Sequence, residues 1–172
     1  MIHCRKAPKR SLISVYLVLN KEEEGMRAVV TRVKNASVVI DGETYSEIGP
    51  GLLVLLGVHR DDTPREAEKI ADKLCGLRIF EDAAGKMNVN PADAGAELLI
   101  VSQFTLFADC RSRRPGFSLA ARPETAIPLY ETVIELCRAR GFSVGTGRFA
   151  ADMQVFSQND GPVTIILDTE EL

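Results

Sequence analysis

The chain has 172 residues, 45% of them hydrophobic and 26% charged, with a formal net charge of −3. That length suits one domain able to bury a core without covalent staples, and no run of about 18 apolar residues is present to span a bilayer. Slight acidity excludes a protein that coats nucleic acid by bulk electrostatics, while leaving room for a local basic patch that touches one end of an RNA.

The first 25 residues differ from the rest. Arg5, Lys6, Lys9 and Arg10 precede an apolar stretch over residues 12–19, and Asn20-Lys21-Glu22-Glu23-Glu24 follows. A basic start and a short apolar middle mimic a signal peptide, but no small-x-small cleavage site follows and the acidic flank is wrong for one. Residues 1–25 are therefore read as an N-terminal extension, disordered or produced by an upstream start. Residues 26–172 are read as the folded domain.

From Met26 onward strands dominate. Residues 27–33 and 36–40 are β-branched runs, and Asp41-Gly42 is a hairpin signal. Residues 52–58 form an apolar run after Gly49-Pro50-Gly51, as in a strand buried on both faces. A helix then opens with Thr63 as N-cap, Pro64 at its first position and Glu66 completing a capping box. Ala67, Ile70, Ala71, Leu74 and Leu77 share one of its faces.

Residues 78–81 return to a strand pattern, 82–85 read as a turn, and 97–103 form a buried strand ending in Ser102-Gln103. A second helix is predicted over 125–140, with Ile127, Tyr130, Val133, Ile134 and Cys137 inward and Gly141 ending it. Pro128 must lie in its first turn or kink it. Strands over 142–144, 152–156 and 163–167 complete an α+β, single-domain chain with two main helices. Short strands around two helices suggest a closed or strongly curved sheet, and the pattern alone fits a barrel or an open sheet packed on helices.

Standard catalytic equipment is scarce. Cys4, Cys75, Cys110 and Cys137 show no CxxC spacing and only His3 and His59 accompany them, so four reduced thiols and no metal or cofactor are expected. His59, beside Arg60, Asp61 and Asp62, reads as a solvated turn histidine, and the pairs Asp61-Asp62 and Glu81-Asp82 read as solvated turn residues. No HExxH, GxSxG or Walker sequence occurs. Two segments stand out. Ser102-Gln103-Phe104-Thr105 puts hydrogen-bonding groups around an aromatic at a strand end, and Asn159-Asp160-Gly161-Pro162-Val163-Thr164 reads either as a hairpin turn or as a ligand-facing backbone.

Together these two segments resemble the paired motifs of the D-aminoacyl-tRNA deacylase family. The resemblance continues through residues 27–33, 51–58, 78–80, 85–88 and 147–153, collinear with the family from Met26 to about Leu167. It implies a β-barrel-like, curved, mixed sheet in a cytoplasmic homodimer with an active site at each subunit interface. The implied partner is the 3′ end of aminoacyl-tRNA, with no DNA and no membrane. The implied reaction is hydrolysis of D-aminoacyl-tRNA esters, with glycyl-tRNA as a secondary substrate. Catalysis would fall to Ser102, Gln103, Phe104 and Thr105, the last a positioning group, with the terminal 2′-hydroxyl of tRNA helping to activate water.

By the same resemblance, Gly161-Pro162 is a cis peptide that reaches into the partner's pocket and screens chirality with backbone, near Asn159. Arg32 braces that motif from the facing subunit, and Phe149 and Met153 line the adenosine end. The loop Arg111-Ser112-Arg113-Arg114-Pro115-Gly116-Phe117 departs from the family by lacking a glycine in its basic part and by carrying Gly116 for serine. Two rival readings remain: a catalytically silent tRNA-end or RNA-binding dimer, and a small-molecule esterase using Ser102 or Thr105 as nucleophile.

Overall fold

In the computed structural model, which describes residues 25–172, the two β-branched runs at the start of the domain form one strand, β1 (Arg27–Ile40). The predicted extension lies, Gly25 apart, outside the described residues. Asp41 (φ 54°) and Gly42 (φ 83°) both take positive φ, the conformation of a two-residue hairpin turn, and lead into β2 (Glu43–Ile48). The first half of β1 pairs antiparallel with β3 (Gly51–Gly57), from Arg27↔Gly57 to Val33↔Gly51, and the second half with β2. Along its other edge β1 pairs antiparallel with β8 (Gln154–Asp168).

Beyond β3 the sheet turns parallel, with β6 (Glu97–Ser102) and then β7 (Val144–Thr146). Parallel neighbours need crossovers, and these carry α1 (Pro64–Gly76) and α2 (Pro123–Ala139). A small hairpin of β4 (Phe80–Glu81) and β5 (Met87–Val89) lies between α1 and β6. Thr63 and Glu66 form the predicted capping box.

Because side chains alternate across a strand, β3 and β6 serve two cores. Leu52, Val54, Leu56, Leu98 and Ile100 meet Ala67, Ile70 and Leu74 of α1 and Val133 and Ile134 of α2. On the opposite face Leu53, Leu99 and Val101 meet Val33, Val38, Ile40 and Ile48, enclosed by the curl of β1 and β2. The curl nearly closes: Gly145 of β7 comes so near β2 that a Cβ on it would lie 2.5 Å from Ser46 Oγ. The mixed, barrel-like sheet with two helices is the predicted fold class. Among the described residues, no helix is long and apolar enough to cross a membrane.

Several local expectations need correction. The strands predicted over 152–156 and 163–167 are one strand, β8, and Asn159–Thr164 is no hairpin turn. Phe142 is buried outside any strand, and β7 begins only at Val144. α2 starts two residues early because Pro123 occupies its first turn, which leaves Pro128 inside the helix. Ala126 and Leu129 are buried on its inner face, while Ile127 is only half-buried.

His59 and Asp62 are not solvated. His59 is 0% exposed and Asp62 8%, because the segment after β3 is pinned by Arg60 N–H to Leu119 O (2.9 Å) and Ala121 N–H to Val58 O (2.9 Å). The polar neighbours Arg60 and Asp61 remain outside and disguised this inward turn in the sequence. Asp62 Oδ2 accepts the His59 N–H at 2.7 Å. Burial pushes the Asp62 carboxyl up to about 7, with Glu66, Asp168 and Asp61 reinforcing the rise and the His59 hydrogen bond opposing it.

A raised folded-state value has a defined sign in stability. The contribution is fully present below the ordinary carboxyl value of 3.8 and is lost as pH rises through about 7. The urea midpoint should therefore fall across that window. Asp62→Asn, which keeps an acceptor for His59 N–H, should flatten the fall, and an identical slope in both proteins would contradict the assignment.

Candidate active site

Ser102 ends β6 opposite Leu56, and Gln103 N–H donates to Leu56 O at 2.7 Å before the backbone leaves the sheet. A 3-10 turn, Phe104–Phe107, follows. Phe107 anchors it, 1% exposed and tilted against His59 with ring centroids 5.3 Å apart. Arg27 lies over the Phe107 ring at 5.0 Å and pairs with Asp168 at 2.8 Å. Arg27 thus braces the turn, a role its place at the start of an apolar strand did not reveal.

With Phe107 inward, Phe104 is 54% exposed and packs edge-on against Phe117 at 5.0 Å. Gln103 Nε2 donates to Thr105 Oγ1. The Thr105 oxygen is thereby an acceptor whose own hydrogen points elsewhere. Among the described residues no histidine serves these groups, since His59 is sealed behind Phe107 and its Nδ1 accepts Asp61 N–H at 3.2 Å.

The second segment is an excursion of β8. Thr164 pairs with Thr31 and Asn159 with Val33, so four residues, Asp160 to Val163, lie opposite Arg32 alone. This irregularity pushes Gly161 and Pro162 out of the ladder into solvent, and the bond between them is cis. Gly161 has φ 118°, and a Cβ there would lie 2.8 Å from Val163 N and 2.7 Å from Val163 Cγ2, so the excursion requires glycine. Ser157 Oγ donates to Asn159 Oδ1 at 2.8 Å.

Arg32, 5% exposed, fixes this excursion within its own chain. Its Nη1 donates to Ile79 O at 2.6 Å, and its Nε meets Asp160 Oδ2 at 3.0 Å as an ion pair rather than an aligned hydrogen bond. Glu81 is 3.8 Å from Nη2.

The remaining predicted residues are dispersed. Phe149 lines a groove of about 400 Å³ with Tyr45, Tyr130, Arg138 and Arg148, whereas Met153 packs on the inner cluster beside Val101. Tyr130, inside that groove, donates to Ile100 O at 2.6 Å and ties α2 to the strand that carries Ser102. In the basic loop, Arg111 is paired with Asp109, which holds the Asp109 carboxyl down at about 2; Arg113 and Arg114 are exposed.

Register places the two principal segments apart. Ser102 is level with Leu56 and Ala28, while the excursion is level with Arg32 and Leu52. Four residues along a strand and three strand spacings across separate them, roughly 20 Å measured along the sheet.

The family model described as D-Tyr-tRNA(Tyr) deacylase matches residues 29–168. A protein of Anaeromyxobacter dehalogenans called D-aminoacyl-tRNA deacylase is 58% identical over 148 residues, 86% of this chain and 99% of the relative. Proteins of the same description from Syntrophotalea carbinolica and Clostridioides difficile are 56% and 54% identical, each match covering 99% of the relative and 86% and 85% of this chain. Among solved structures, one described as c-Myc DNA Unwinding Element Binding Protein superposes with a TM-score of 0.78 at 44% identity, covering 82% of this chain and 97% of that one. A second, described as a probable eukaryotic D-amino acid tRNA deacylase, shares the fold with a TM-score of 0.73 at 16% identity, covering 83% and 98%.

Proposed function

The chain belongs to the D-Tyr-tRNA(Tyr) deacylase family, and on that premise we propose that it hydrolyses the ester of D-aminoacyl-tRNA, releasing the D-amino acid and tRNA while leaving L-aminoacyl-tRNA intact. The site is composite. The strand end Ser102–Thr105 of one subunit receives the Gly161-Pro162 excursion of the other, in a cytoplasmic homodimer with two such sites. The observation that carries this reading is the separation above: two exposed segments lie roughly 20 Å apart along one sheet, and a second subunit is what would bring them to one aminoacyl ester.

The chemistry follows from what each segment presents. Backbone N–H groups of Phe104 and Thr105 stabilise the oxyanion that forms as water attacks the ester carbonyl, an effect worth ~3–4 kcal/mol per donor in a preorganised site. Gln103 holds Thr105 as a donor, and Ser102 positions the ester. The terminal 2′-hydroxyl of the tRNA helps to activate the water. The backbone of Gly161 and Pro162, rather than any side chain, excludes an L side chain by direct contact. Glycine has no side chain to exclude, so glycyl-tRNA, including that mischarged on tRNA(Ala), is a secondary substrate.

Arg32 steadies the wall through Asp160, Asn159 borders it, and Phe149 and Met153 face the adenosine end. Arg113 and Arg114 are available to phosphates. A mixed-dimer experiment tests the composite site. Gly161→Ala and the double variant Gln103→Ala/Thr105→Ala should each be strongly impaired alone. Subunit exchange at equal amounts makes half the dimers hybrid, each with one intact site of two, so about a quarter of wild-type activity should return. No recovery between demonstrably exchanged subunits would remove the interface reading while leaving the deacylase reading in place.

A further inference from the structure

Two thiols face each other where the helices converge. Cys75 lies in the last turn of α1 and Cys137 in the last turn of α2, with their Sγ atoms 3.8 Å apart. Cys137 is 0% exposed and belongs to the main core, whereas Cys75 is partly exposed at its edge. Beside them Asp72 of α1 and Arg140 at the end of α2 form an ion pair at 3.8 Å. This corner lies outside the groups assigned to deacylation.

We propose that Cys75 and Cys137 are a peroxide-responsive dithiol that closes into an intramolecular disulfide linking α1 to α2. A disulfide needs its sulfurs at about 2 Å, so the pair must close by a further ~1.8 Å, through side-chain rotation in helices already packed together. The two sulfurs are chemically unequal. The Cys75 thiol is held below its usual value first by its hydrogen bond with Cys137 and then by Arg140, with burial and Asp72 opposing. Cys137 is pushed far up by the same hydrogen bond and by burial. Both sulfurs sit at helix C-termini, where the dipole disfavours a thiolate, and Arg140 offsets this at Cys75. Cys75, partly exposed beside Arg140, is therefore the attacking sulfur, and the fully buried Cys137 is the resolving one.

The steps balance with hydrogen peroxide as oxidant. The Cys75 thiolate attacks one peroxide oxygen, an S–O bond forms, the O–O bond breaks, and hydroxide leaves with the thiol's former proton as water. Cys75 is oxidised by two electrons to the sulfenic acid. The Cys137 sulfur then attacks the Cys75 sulfur, the S–S bond forms, the S–O bond breaks, and hydroxide leaves with the Cys137 proton as a second water.

The test uses the full chain with Cys4→Ser and Cys110→Ser, which leaves only this pair. After mild peroxide and alkylation in denaturant, the proposal expects no alkylated thiol, a mass about 2 Da below the reduced protein, and reversal by dithiothreitol. The disulfide closes a long loop, so the oxidised protein should also melt at a higher temperature than the reduced one. Adding Cys137→Ala should stop Cys75 at a sulfenic acid captured by dimedone, and adding Cys75→Ser should abolish the reaction. Two alkylatable thiols after peroxide, cross-links only between chains, or over-oxidation of Cys75 without a disulfide in the Cys137-containing protein would each overturn it.

Discussion

Gly161→Ala is expected to lower kcat/KM on D-tyrosyl-tRNA by roughly 10–100-fold while leaving the folded protein in place. The expectation follows from backbone geometry. Gly161 sits at φ 118°, a region L side chains rarely adopt, and an added Cβ would press on Val163 N at 2.8 Å. Strain of this kind costs on the order of 1–3 kcal/mol, and the excursion can relieve it only by reshaping. The flanking pairs Thr31↔Thr164 and Val33↔Asn159 hold β8 to β1 on either side, so the change stays local.

If the excursion forms the wall that excludes L side chains, reshaping it should also raise the rate on L-tyrosyl-tRNA. Deacylation of both esters, read beside a urea midpoint, checks this. Wild-type rates and wild-type discrimination in a folded Gly161→Ala protein would mean that the excursion is not part of the site.

A larger effect is expected from the substrate. On D-aminoacyl-tRNA carrying 2′-deoxyadenosine at its end, turnover should fall by about 10²–10⁴-fold, the range that positioned proton transfer contributes, whereas Ser102→Ala should cost about tenfold or less. His59 is fully buried behind Phe107, and Thr105 Oγ1 already accepts from Gln103. Among the described residues these segments thus present no histidine base, and the proposed reading gives that part to the neighbouring hydroxyl of the tRNA. Single-turnover rates on the two tRNAs and on the Ser102→Ala protein decide it. Equal losses would sink the substrate-assisted reading and return weight to a serine nucleophile, which a covalent serine probe would then label.

Much of the architecture was legible from residue patterns. The capping box at Thr63 and Glu66 is a local device, and it appears where the spelling puts it. The turn at Asp41-Gly42 is local in the same way. What was not legible depends on packing between distant segments. Asn159–Thr164 has the composition of a turn, yet the whole of β1 templates one strand through it, and only the register against Arg32 reveals an excursion. His59 and Asp62 carry polar neighbours and look solvated, but bonds from residues 119–121 fold them inward. Arg27 opens a β-branched run, and its brace on Phe107 depends on a residue 80 positions away. Near-closure of the sheet brings Gly145 against Ser46, a contact between strands about a hundred residues apart that no local pattern announces.

The most direct test of the account is to incubate nanomolar protein with D-tyrosyl-tRNA and L-tyrosyl-tRNA side by side and follow the ester that remains. The account predicts rapid loss of the D ester with the L ester untouched. Loss of both would contradict a backbone wall that screens chirality and favour a general esterase, and loss of neither by a folded dimer would contradict the deacylase assignment itself.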